Sequence, residues 1–144
     1  MIDFEDNFWN WSVQRYGQQG MKDAFLDAQD RFGMDINLAL LFLYLDQHNK
    51  HLTGDTIKEL YSLSHHWQSV HLAPLRQRRR SAQGTADYDD LKAQELRLEK
   101  QEQKALVAAC KPCDGSGRLA AEYLKSLALP QTLQAKLLKL KSQD

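Results

Sequence analysis

Asp35-Ile36-Asn37-Leu38-Ala39-Leu40-Leu41-Phe42-Leu43-Tyr44-Leu45-Asp46 is the stretch on which the reading of the fold turns. Its apolar residues follow one another without a polar stripe. A helix that is apolar on every side has to be wrapped by other elements, so the segment predicts the central rod of a small all-helical domain. Asp35 is placed to cap it, and Asn49 is a natural end.

Helical signals surround this rod. Upstream, Met21, Ala24, Phe25, Ala28 and Phe32 recur at helical spacing with Lys22, Asp23, Asp27 and Asp30 between them, and Gly33 supplies a left-handed stop. An aromatic-rich segment with Phe4, Phe8, Trp9, Trp11, Val13 and Tyr16 precedes it, with Asp3 or Asp6 as cap; its rings read as core wedges. Downstream, Thr53 or Asp55 caps a helix whose inward face is expected at Ile57, Leu60, Tyr61, Ser64, Trp67 and His71. Pro74 either kinks that helix or opens a new one at Leu72-Ala73, because it lacks a donor and crowds the preceding turn. Residues 81–86, with Gly84, read as a turn. A long polar helix follows from Asp87 to about Cys110, and two short amphipathic helices, Arg118–Leu129 and Gln131–Lys141, form a tail.

The expected architecture is therefore all-α: one domain over residues 1–144, with a compact bundle at 1–80 around the buried central helix, the long charged helix at 87–110 and the helical tail at 118–141. At 144 residues and 16.6 kDa the chain is large enough to bury its core without disulfides. Formal charge is zero overall, but residues 1–70 carry 10 acidic and 5 basic side chains while 71–144 carry 9 and 14. That asymmetry either closes internally or serves a partner. The N-terminus lacks a basic start and an apolar stretch, and the longest apolar run, Leu38–Leu45, is far short of the ~20 residues of a membrane span. These features predict no export signal, no membrane span and a cytoplasmic location, where two cysteines stay reduced or bind metal.

Phe8-Trp9-Asn10-Trp11-Ser12 with Tyr16, Asp35-Ile36-Asn37-Leu38 leading to Leu43-Tyr44-Leu45-Asp46, Trp67, Val70, Pro74-Leu75-Arg76, and Glu95-Leu96 with Glu99 and Glu102 carry a resemblance. From about Phe8 to Glu102 the chain resembles the proteobacterial family filed as domain of unknown function 2390. The resemblance implies a bacterial, cytoplasmic, helical protein with no assigned activity, and it transfers no catalytic residue.

Three constellations carry chemistry in the sequence. Cys110-Lys-Pro-Cys113-Asp-Gly115-Ser-Gly117 matches the Cys-x-x-Cys-x-Gly-x-Gly unit of the zinc modules in DnaJ-type chaperones, whose glycines let both thiolates reach one metal. Those modules pair such units and this chain has one, so zinc requires dimerisation or a recruited histidine; unpaired reduced thiols are the competing reading. Arg76, Arg78, Arg79 and Arg80 form the dense basic cluster, suited to the phosphates of RNA or a nucleotide. If the turn at Gly84 folds two helices antiparallel, counting outward sets Arg79 and Arg80 opposite Asp89 and Asp90, and Arg76 near Lys92–Glu95. The cluster would then be answered by ion pairs. Glu95, Glu99 and Glu102 share one helix face, and the same count brings Trp67, Val70 and His71 near Glu99 and Glu102, which offers a His71–glutamate pair; a solvated acidic face with one ion pair is the competing reading. His65, His66 and His71 lack the i, i+4 spacing of helical zinc sites, and no serine has an acyl-transfer setting. The leucines of the tail, Leu133, Leu137, Leu138 and Leu140, with Lys136, Lys139 and Lys141, suit either a membrane surface or packing on the domain. The functional expectation is a non-catalytic interaction or adaptor protein, with RNA or phosphate binding and a zinc module as alternatives.

Overall fold

The computed structural model describes residues 4–139, with side chains from residue 7. Asp3, Leu140 and Lys141 lie outside the described residues. The helices are α1 (Phe4–Tyr16), α2 (Met21–Phe32), α3 (Ile36–Gln47), α4 (Gly54–His66), α5 (Ala73–Ser81), α6 (Tyr88–Ala109), α7 (Leu119–Ser126) and α8 (Gln131–Leu138), with a π-helical segment, Trp67–Leu72, joining α4 to α5. Two strands of two residues each, β1 (Lys50–His51) and β2 (Cys113–Asp114), complete the elements. The fold is all-α, and no described helix is long and apolar enough to cross a membrane.

Contacts gather the chain into two compact units, one running to Leu52 and resuming at Lys111, the other spanning Thr53–Cys110.

In the first unit α3 is the central rod. Leu38, Leu40, Leu41, Phe42, Leu43 and Leu45 are all buried, as a helix without a polar side must be. Asp35 caps it, accepting from the backbone N–H groups of Asn37 at 3.0 Å and Leu38 at 3.4 Å. Gly33 ends α2 at φ 70°, a conformation open to glycine at little cost, and its N–H returns to the carbonyls of Ala28 and Gln29. α1 packs on α2 and α3, and the tail closes the other sides: α7 lies on α3, and α8 on α2 and α7. Leu119, Tyr123, Leu124, Leu133 and Leu137 are buried, so the apolar face of the tail is used within its own unit.

Three polar ties fix these helices. Tyr123 Oη accepts the Asp35 N–H at 3.0 Å while its ring meets Phe42 edge-on at 5.6 Å. Asp46 accepts from the N–H groups of Leu119 and Ala120 at 3.0 and 3.1 Å, capping α7 from the far end of α3. Arg15, only 4% exposed, donates to Gln18 Oε1 at 2.7 Å and to the Leu137 and Lys139 carbonyls at 3.4 and 2.6 Å, at the negative end of α8. The face of α1 turned inward is thus Phe8, Ser12 and Arg15, whereas Val13 is exposed.

The second unit is a helical hairpin. α4, the π-helical segment and α5 run as one continuous rod, and α6 returns antiparallel along it after the turn at Gly84, where φ is 85°. Thr53 caps α4 through the Thr56 N–H. Its inward face is Thr56, Leu60 and Ser64; the spacing predicts Leu60 and Ser64 but not Thr56, and Tyr61, expected inside, is exposed. Pro74 opens α5 as its second residue without breaking the rod. The π-helical turn before it, closed by the Ala73 N–H to the Gln68 carbonyl, widens the backbone where a proline has no N–H to give.

Candidate functional site

The richest polar cluster lies within the hairpin, where α6 presents Glu95, Glu99 and Glu102 to the rod. Arg76 answers them. Its Nε donates to Glu95 at 3.0 Å, its Nη2 to Glu99 at 3.2 Å, and its Nη1 to Gln68 Oε1 at 2.8 Å. Arg79 Nε donates to the second oxygen of Glu95. Gln68, held on the π-helical turn, turns its amide nitrogen to both oxygens of Glu102, each at 3.4 Å. Glu102 is fully buried, and the Arg76 and Glu95 side chains are 9% and 13% exposed.

Burial works against the Arg79 cation, but Glu95 and the Tyr88 hydroxyl outweigh it and hold its pKa above the ordinary arginine value. Buried charges of this kind require close opposite partners, and here each carboxylate–guanidinium contact is charge-assisted. The cluster welds the two arms together and fixes their register.

The antiparallel count from the sequence brings Arg76 to Glu95, as expected. It misplaces Arg79, which reaches Glu95 and not Asp89 or Asp90, more than one helical turn farther along α6. A guanidinium on a long stem can span that turn, which counting of Cα positions ignores. The partner of Glu102 that the sequence missed is Gln68, a neutral side chain with no charge pattern to announce it. Arg78 and Arg80 are exposed.

Beyond exposed Asp89 and Asp90 in its first turn, the outer face of α6 is basic. Lys92, Arg97, Lys100 and Lys104 are exposed together with Ala93 and Gln101. At 100° per residue they fall on one side of the helix, and Leu96, 56% exposed, falls among them.

The cysteine segment is built differently from a closed metal module. Cys113 is exposed in β2, which pairs antiparallel with β1 so that His51 stands opposite Cys113 and Lys50 opposite Asp114. Cys113 Sγ donates to the His51 carbonyl at 3.3 Å, and Lys50 pairs with Asp114 at 2.6 Å. Both glycines of the motif have a local reason. A Cβ on Gly117 would fall 2.4 Å from His51 Nδ1, and Gly115 sits at φ 154° against the same side chain. Cys110 is buried, and burial pushes its thiol up to about 11, away from the thiolate that metals and electrophiles require. Among the described residues no group of three or more histidines, cysteines or acids is arranged to hold a metal ion.

No curated protein and no solved structure matches this chain. The family model described as "Protein of unknown function (DUF2390)" matches residues 7–106, from within α1 to the last third of α6. That span takes in the central helix, the π-helical turn and the whole charged cluster of the hairpin, and it stops before the cysteines and the tail. The chain belongs to the DUF2390 family.

Proposed function

We propose that this protein is a non-catalytic interaction module, and that its partner is a protein with an acidic surface, bound on the outer face of α6. The observation that carries this reading is the division of charge on that helix. Glu95, Glu99 and Glu102 face the rod, whereas Lys92, Arg97, Lys100 and Lys104 face solvent around the exposed Leu96. A helix of this kind offers steering by charge and one apolar anchor. The tail, whose leucines are buried in its own unit, is the weaker candidate surface.

The test places a photoreactive residue at position 96, with position 22 on α2 as control, and crosslinks it in extract of the native host. The expected result is a discrete protein adduct at position 96 that disappears when Lys92, Arg97, Lys100 and Lys104 are changed to glutamate. Adducts that match the control, or survive the charge reversal, would overturn the reading.

A second reading is RNA or phosphate binding. Arg76 and Arg79 are engaged with Glu95 and Glu99, so its phosphate contacts would fall to exposed Arg78, Lys92 and Lys104. Binding of a labelled RNA strand that weakens steeply with added salt would favour it over a protein partner. A zinc-dependent role through Cys110 and Cys113 requires ionising a buried thiol, and metal analysis of protein purified without chelator decides it.

A further inference from the structure

The π-helical segment does more than pass Pro74. In an α-helix, residues five apart stand about 140° apart around the axis, and their side chains do not meet. A π-helical turn closes i to i+5 and stacks such residues on one side. His66 ends α4 and His71 lies within this segment, and their ring centroids are 5.6 Å apart with the planes at 79°. The spacing that excludes a helical chelate in the sequence is therefore the one that creates a histidine pair in the fold. Two imidazoles bound tetrahedrally to one ion, at metal–nitrogen distances near 2.0–2.1 Å, have centroids about 5.2 Å apart, close to the separation of this pair.

We propose that His66 and His71 form a two-imidazole site for a borderline divalent cation such as zinc, nickel or copper. Imidazole nitrogen suits these ions, and it leaves magnesium and calcium to oxygen ligands. His66 is exposed, so an ion enters from solvent and completes its coordination with water or with a ligand from another molecule. Trp67, whose ring lies 4.7 Å from that of His71, backs the site and reports on it. His65 is held elsewhere, its Nε2 lying 3.4 Å from Ser69 Oγ, and serves as the neighbouring control.

The experiment titrates nickel ion into the full chain carrying Cys113→Ser, so that metal held by the cysteine segment does not contribute, and follows heat and tryptophan quenching. The expected result is one ion per chain at pH 7.5. His66→Ala, an exposed change that leaves the helix intact by circular dichroism, weakens uptake at least about tenfold, and His65→Ala leaves it unchanged. His71→Ala reproduces the His66→Ala result. Uptake equal in the His66→Ala chain, uptake lost with His65→Ala, or no uptake at about 1 mM nickel would each overturn the proposal.

Discussion

Replacing Arg76 by methionine removes the centre of the hairpin's charged cluster while keeping a long apolar stem. Three contacts vanish together, to Glu95, Glu99 and Gln68. Breaking a buried ion pair by deleting one member costs about 3–5 kcal/mol, because the other charge stays buried and unanswered. Two features pull the figure to the low end. Glu95 keeps Arg79, and the Glu99 side chain, 32% exposed, is partly rescued by water. The expected loss is therefore about 3 kcal/mol, and with a urea slope of about 1–3 kcal/mol/M it lowers the midpoint by about 1–3 M. Urea denaturation followed by far-ultraviolet circular dichroism, at low salt and at 1 M salt, is the assay. Buried pairs are poorly screened, so the loss persists at high salt. A loss below about 1 kcal/mol at unchanged slope, or one that vanishes with salt, would refute the reasoning and make the cluster an ordinary solvated ion-pair set.

Three further outcomes follow from the geometry. With an alkylating reagent at neutral pH, exposed Cys113 is modified while Cys110, buried and pushed up to about 11, is spared until the protein unfolds; peptide mapping reads the order, and equal labelling would contradict it. Gly117→Ala pushes a methyl into the His51 ring at a cost of about 1–2 kcal/mol, and His51→Ala removes most of that cost; a Gly117→Ala chain with unshifted His51 ring resonances would show that the two do not touch. Asp46→Ala uncaps α7 and costs about 1–2 kcal/mol by thermal or urea unfolding. Burial holds the Asp46 carboxyl above the ordinary aspartate value, more than its bonds to Leu119 and Ala120 lower it. The folded state therefore retains this proton longer than the unfolded chain does. The contribution of Asp46 to stability accordingly falls as pH rises from below the ordinary value through the folded one, and Asp46→Asn abolishes that slope.

How far the sequence reached differs from helix to helix. On α2 the apolar spacing alone identified the buried face, since Ala24, Phe25 and Ala28 are all inside. On α4 the same logic was right at Leu60 and Ser64 and wrong at Tyr61, and on α1 it named the Phe8 ring but not the polar residues beside it. Tyr61 is 36% exposed, and Ser12, Arg15 and Thr56 are buried. A polar side chain enters a core when a partner satisfies it, and the Leu137 and Lys139 carbonyls that receive Arg15 lie more than a hundred residues away. The ribbon of β1 and β2 escaped notice because two residues carry no alternation to read.

What the sequence settled by itself was the local part: an apolar helix capped by Asp35, a left-handed stop at Gly33 and a turn at Gly84. These follow from spacing, capping and backbone sterics within a few residues. Tertiary structure alone decided that the tail is folded into the first unit through Asp46 and Tyr123, that Gln68 meets Glu102, and that a π-helical turn sets His66 against His71. Each of those depends on where a distant or irregular backbone carries a side chain, and periodicity holds no information about that.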